Sequence, residues 1–319
     1  MHRMLLPVAA TTLAVVAPGA MACSSCGCTL NSDWSSQGYT TQSGFNLDLR
    51  YDYFDQDELR SGTHAVNRAD YPLPNTQEIQ QHTLNRNLTA TVDWSPSRVF
   101  GVNLLLPYFD RPHSTVAAGD TEVSTSHSRG IGDARVVARY QGFEADLSRG
   151  VQIGLKLPTG RIDDTFSTGP QAGQPLDRGL QLGTGTTDLL VGGYVVGALG
   201  TDVYYFANAL LQQPLASRDG FRPGTGVNMT VGLRYTAPLP AGLVPQLQLN
   251  ARIEQRESGV NADVENSGAS LFYLSPGMGF QLSAHVDGFA FIQLPVYQRV
   301  NGLQLQPRVV GSVGFHYRF

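Results

Sequence analysis

Residues 45–53 read FNLDLRYDY. Phe45, Leu47, Leu49, Tyr51 and Tyr53 take alternate positions, and Asn46, Asp48, Arg50 and Asp52 fill the gaps. Side chains alternate across a strand, so the stretch predicts one greasy face and one charged face. A helix would mingle the two sets around its circumference. The pattern recurs down the chain. Leu84, Leu88, Ala90, Val92 and Trp94 oppose Asn85, Asn87, Thr89, Thr91 and Asp93. Leu247, Leu249, Ala251 and Ile253 oppose Gln246, Gln248, Asn250, Arg252 and Glu254. About twelve such strands are expected, the last carrying Val309, Val313, Phe315, Tyr317 and Phe319.

The links between these strands alternate in length. Short ones fall at 95–98, 143–150, 197–202, 237–244 and 283–288. Long polar ones fall at 55–81, 110–130, 159–186, 214–224 and 256–270. An even strand count, aromatic strand ends, short turns at one rim and long loops at the other describe a transmembrane antiparallel up-and-down β-barrel of the bacterial outer membrane. Parity gives it a polar lumen and an apolar exterior. The soluble alternative, a secreted sandwich or barrel, would also alternate but would turn its apolar face inward.

Composition fits. Of 319 residues, 15% are charged, against about 25% in ordinary domains. There are 35 glycines, and Lys156 is the only lysine. A net charge of −4 argues against nucleic-acid binding. Past the N-terminus no apolar run is long enough for a transmembrane helix. His2 and Arg3, an apolar stretch over 5–17 and Ala20-Met21-Ala22 predict a signal peptide over 1–22. A Cys-containing periplasmic segment over 23–42 and the barrel over 43–319 would follow.

Parity assigns the charged side chains to the lumen. Basic positions are Arg50, Arg135, Arg139, Lys156, Arg234, Arg252 and Arg308; acidic ones are Asp48, Asp52, Asp93, Asp133, Asp188 and Glu254. The near balance predicts mutual pairing and weak ion selectivity. Twelve strands enclose a modest bore, so a narrow or partly plugged lumen is expected.

Cys23, Cys26 and Cys28 form CSSCGC and are all the cysteines present. Three thiols so close can hold copper or zinc, form a disulfide in an oxidising compartment, or, at Cys23, carry a lipid. The segment that follows, to Ser43, either folds into the lumen or hangs in the periplasm. Pairing His82 with Asp70, or His113 with Asp110 and Asp120, would be needed for an enzyme; no spacing demands it, and no enzyme is expected.

The stretches 130–140 (GIGDARVVARY), 155–160 (LKLPTG) and 182–188 (LGTGTTD), with 294–305 (LPVYQRVNGLQL), resemble outer-membrane barrels of the meta-pathway phenol-degradation transporter family. That family is related to long-chain fatty-acid transporter-like barrels. The resemblance runs from about Phe45 to Phe319; the cysteine cluster departs from it. It implies an outer-membrane channel or porin-like transporter, in a Gram-negative bacterium, for a small hydrophobic or aromatic solute. Its aromatic-ended last strand resembles the signal read by the barrel assembly machinery. Outer-membrane lipid, that machinery and a small solute are thus the expected partners. Two other readings stand beside it: a barrel-anchored periplasmic metal-binding or thiol-redox accessory protein using the cysteines, and a surface hydrolase.

Overall fold

The computed structural model describes residues 43–319. The predicted signal peptide and the cysteine segment lie outside the described residues. The strands in chain order are β1 (Gly44–Gly62), β2 (His64–Ala65), β3 (Ile79–Ser95), β4 (Phe100–Val116), β5 (Ser124–Ile131), β6 (Arg135–Tyr140) and β7 (Arg149–Lys156). Then come β8 (Asp188–Ala198), β9 (Val203–Pro214), β10 (Gly226–Tyr235), β11 (Leu243–Glu254), β12 (Ala269–Gln281) and β13 (Val286–Arg318). Consecutive wall strands pair antiparallel, and β13 pairs with β1 to close the ring.

At 33 residues, β13 is twice the length of the other tall strands. Its first arm pairs with β12 and its second with β1. The two arms meet at Asn301-Gly302, where Gly302 has φ +56°. Asn-Gly is the favoured pair for a two-residue hairpin turn. Counting both arms, the wall has twelve strand positions, the number expected from the alternation. A closed ring of antiparallel neighbours also requires an even number.

β5 and β6 share a single wall position. β5 pairs with the upper part of β4 (Tyr108↔Ile131) and β6 with its lower part (Leu105↔Arg135). Three steps on β4 therefore face four on the partner. The extra residue lies in Gly132-Asp133-Ala134, a bulge that breaks the strand. Bulges re-aim side chains, and this one turns Asp133 into the barrel, where it is buried.

The strands rise further than the alternation alone implies. β1 runs to Gly62 and β3 begins at Ile79, so much of the expected 55–81 loop is wall. β4 likewise continues to Val116. Here the pattern of faces changes while the pairing continues: Asp55–His82 (2.6 Å), Asp110–His127 (2.6 Å) and Asp110–Arg86 (3.7 Å) sit on the outside. Below them, the outward positions Leu47, Leu49, Leu88, Val92, Leu104 and Leu106 are apolar. The belt is bounded below by Phe45 stacked on Trp94 (6.3 Å) and Tyr140 edge-on to Phe143 (5.0 Å), and above by Tyr53 and Tyr108. From Phe45 to Tyr53 the strand advances about 26 Å, or about 20 Å along a barrel axis after tilt.

The buried side chains include three small apolar clusters: Phe54–Tyr273–Val310, Tyr194–Val196–Phe206, and Leu59–Ile79–Leu303–Leu305. Several inward side chains lie flat over a cross-strand glycine. Phe291 covers Gly277 so closely that a Cβ there would fall 2.1 Å from the ring. Arg139 covers Gly101 in the same way, at 2.5 Å.

The turn assignment predicts a contrast. Gly62 also has a left-handed φ (+58°), with open space where a Cβ would go; at Gly302 a Cβ would meet Asn266 at 2.2 Å. Gly62→Ala should cost only the backbone term, about 1–2 kcal/mol. Gly302→Ala should cost more, read as a lower urea midpoint for vesicle-embedded barrel. Equal losses would remove Gly302 from the role given to it.

Candidate functional site

Lys156 ends β7 and is buried, with its side chain 4% exposed. Its Nζ lies 2.9 Å from Asp133 Oδ2 and 3.2 Å from Asp188 Oδ2, and it also donates to the Thr186 carbonyl (3.1 Å) and to Thr184 Oγ1. Asp188 is its cross-strand partner on β8, so β-register delivers one carboxylate and the bulge delivers the other. Asp133 accepts further bonds from the Gly160 amide (3.0 Å) and the Thr184 amide (2.9 Å). Thr159 Oγ1 accepts from the Ala134 amide and donates to the Gly132 carbonyl, each at 2.8 Å. Gly160 and Gly183 meet back to back, where a Cβ on Gly160 would lie 2.7 Å from the Gly183 backbone.

The motifs at 130–140, 155–160 and 182–188 thus converge on one node. Its effect is to fasten both ends of the β7–β8 loop, residues 157–187, at the barrel mouth. The loop's middle is fixed as well. Arg111 Nη1 donates to the Gly179 carbonyl (3.0 Å), and Thr125 of β5 exchanges backbone bonds with Ser167 and Thr168.

Beneath this loop lies a chamber of about 270 Å³, lined by Leu182, Gly183 and Thr184 from the loop and by inward side chains of the wall. A second, larger chamber of about 770 Å³ occupies the short-turn end, lined by Asp48, Arg234, Phe289 and His316 among others. Arg139 lines the upper chamber and its partner Asp93 the lower. Their buried ion pair, with Ser95 also accepting from Arg139, forms the waist between the two.

The other parity-assigned side chains can now be placed. Arg50 Nε donates to Asp52 (2.9 Å), which also accepts from Ser312 (2.6 Å). Asp48 meets His316 across the closing seam. Arg252 pairs with Glu254 (2.8 Å). Arg135 donates to Gln212 (3.4 Å), whose Nε2 donates to Asp188 (2.6 Å). Arg308 is a correction. Its side chain is 67% exposed and lies on the outside, 3.4 Å from Asp57. Phe54 pairs with Val310 but Gln56 pairs with Pro307, so three residues of β13 face two of β1. That bulge resets the parity.

The histidine pairings imagined for an enzyme do not form as drawn. His82 meets Asp55, His127 meets Asp110, and His113, a strand residue rather than a loop residue, meets Thr83 (2.8 Å). Among the described residues no group of three or more His, Cys, Asp or Glu is placed to hold a metal. Cys23, Cys26 and Cys28 lie outside the described residues.

Sequence reading missed a group of carboxylates in the loops. Asp177 is buried beside Glu78, just before β3 at the long-loop rim, and Glu257 and Asp263 of the β11–β12 loop. Burial, then the negative charge of Glu78, Asp263 and Glu257, pushes Asp177 well above the usual carboxylate range. Asp263 is occupied in holding Asn266 (3.0 Å). No periodicity marks such a group; it forms only once the loops are folded inward.

No family model matches the chain, and no curated protein matches it. Among solved structures it is similar to an outer membrane channel from Pseudomonas putida F1, at 12% identity and a TM-score of 0.65, covering 91% of this chain and 100% of that one. It is also similar to the CymD monoaromatic hydrocarbon channel, at 10% identity and a TM-score of 0.43, covering 87% and 89%. The first likeness establishes the fold: a closed barrel of the type found in the outer membrane of Gram-negative bacteria.

Two predictions follow from the loop's fastenings. Lys156→Ala leaves Asp133 and Asp188 buried together, at a cost of about 3–5 kcal/mol, and should release the loop, read as faster protease cleavage within residues 157–187. Unchanged cleavage would show that the node does not hold the loop in place. Asp177 holds its proton more tightly in the docked loop than in a released one. Docking is then strongest below pH ~4, the usual Asp value, and weakens as pH rises from there towards the raised value. Protease access to the loop should climb over that window, and Asp177→Asn should flatten the climb.

Proposed function

We propose that this chain is an outer-membrane channel for a small solute with an apolar, aromatic-sized body. One observation carries the reading: two chambers in series, separated by a buried ion-pair waist, run inside a wall that is apolar outside for about 20 Å between aromatic rims. An apolar outer belt of this height fits the thin hydrocarbon layer of an outer membrane, whose apolar band is about 25 Å tall. The fold likeness to the Pseudomonas putida channel supports the same reading.

The polar inward side chains are the natural lining of a path. Asp48, Arg234 and His316 face the lower chamber, and Arg50, Arg135, Arg139 and Arg252 the upper. Their ion pairs fill much of the bore and leave room for narrow solutes. A phenol-like compound suits the upper chamber, where Leu105, Pro107 and Phe109 of β4 supply an apolar side. Translocation here is passive: movement of the 157–187 loop and the waist would set the rate.

Proteoliposome swelling tests this. Catechol-sized solutes should permeate and disaccharides should not. Equal rates for both would refute a narrow, gated path. The membrane placement has its own test. Ile153, outward and 59% exposed, sits in the belt, so Ile153→Arg should destabilise the vesicle-embedded barrel by about 2–4 kcal/mol. A neutral effect would put the belt outside lipid.

A further inference from the structure

Asn103 lies on β4 and lines the upper chamber. It is one inward step above Gly101, over which Arg139 of the waist lies flat. The residue is buried, at 9% exposure, and its Nδ2 has no hydrogen-bond partner among the described residues. A buried amide donor in this state is uncommon and costly.

The register shows why this amide is left over. Its cross-strand neighbour on β3 is Asp93, whose carboxylate would be the natural acceptor. Both oxygens of Asp93 are engaged elsewhere. Arg139 donates to each of them, and Ser95 also donates to Oδ1 (2.7 Å). On β6 the neighbour is Val137, and the next inward residue up β4 is Leu105. Neither side chain can accept a hydrogen bond. Beyond Val137 comes Gly154, which has no side chain, and beyond Gly154 comes Leu190 of β8. Leu105, Val137 and Leu190 all line the chamber with Asn103.

One unmet donor therefore stands among three apolar side chains, at the edge of a space of about 270 Å³. The last torsion of an asparagine has a broad range, so a turn of the amide presents Nδ2 to the chamber. A solute that brings an acceptor oxygen to Nδ2 removes the deficit, while its apolar body packs on the three side chains. A pure hydrocarbon packs in the same place and leaves the donor unmet. Sites built around such a donor discriminate against analogues that lack the acceptor.

We infer that the floor of the upper chamber is a binding site for an uncharged solute whose apolar body carries a carbonyl-type oxygen, with Asn103 as the residue that selects for the oxygen. This rests on the channel reading and narrows its solute class from apolar to apolar with one hydrogen-bond acceptor. The site adjoins the Arg139–Asp93 waist, so a solute held there is already placed for the next step of its passage.

The test compares para-fluoroacetophenone with para-fluoro-α-methylstyrene, in which a methylene group replaces the carbonyl oxygen. Each is titrated by fluorine NMR against the full chain in detergent micelles. The two partition unequally into detergent, so the quantity read is their affinity ratio in the wild type against that in Asn103→Leu, a substitution of similar size. The wild type should favour the ketone at least about fivefold more than the variant does, the worth of one hydrogen bond to a buried donor. Asn103→Ala should lose the same preference, which keeps the comparison available if leucine is not accommodated. Unboiled gel mobility checks that each variant is a folded barrel. A ratio that neither substitution changes overturns the inference. Swelling assays separate the two levels: a channel that passes small solutes but shows no ketone preference sinks only this inference. Failure to pass any solute sinks the channel reading itself.

Discussion

Lys156 is held between Asp133 and Asp188, and all three side chains are buried. A lone charge there would be costly, and two carboxylates without the ammonium would repel. The node therefore holds only when three separate stretches of chain arrive together. The bulge at Gly132-Asp133-Ala134 supplies one carboxylate, the β7–β8 register supplies the other, and the loop brings the amides of Gly160 and Thr184. The upper chamber exists because that loop is fixed over it. The chamber's size and its charge both follow from where the node places residues 178–184.

Much of this was legible in the sequence, and the reason is parity. An isolated wall one strand thick has a different solvent on each face, so each residue must declare a side. FNLDLRYDY does so plainly, and the neighbours of β1 repeat it. Link lengths are equally readable, because short turns need few residues. What parity could not show is where it resets. Arg308 lies outside because of a single extra residue opposite Phe54 and Gln56. The upward extension of β1 and β3 was hidden because, above Tyr53, the outward face turns polar while the few apolar side chains, Phe54, Leu59 and Ile79, are buried. The carboxylates around Asp177 come from separate loops whose meeting no local pattern records.

The glycine content has a similar explanation. A wall strand needs side chains on both faces, yet the bore has room for only some inward ones. Where a large side chain such as Phe291 or Arg139 is needed inside, the residue across from it gives up its own, as Gly277 and Gly101 do. Glycine here is the complement of bulk, a means of laying long side chains flat against the wall and keeping the two chambers open.

The seam deserves a last consequence. β1 and the second arm of β13 are joined by Asp48–His316 and Asp52–Ser312, pairs 268 and 260 residues apart. Every other wall junction is between chain neighbours and can form locally. This one must wait until the rest of the sheet has curled round, so it bears nearly all the loop-closure entropy of the fold. Until it forms, both edges of the sheet present unpaired backbone groups, which a hydrocarbon layer does not tolerate. Closure and stable residence in a bilayer are therefore a single event, and the hydrogen bonds at the seam act at the step where the chain commits to it.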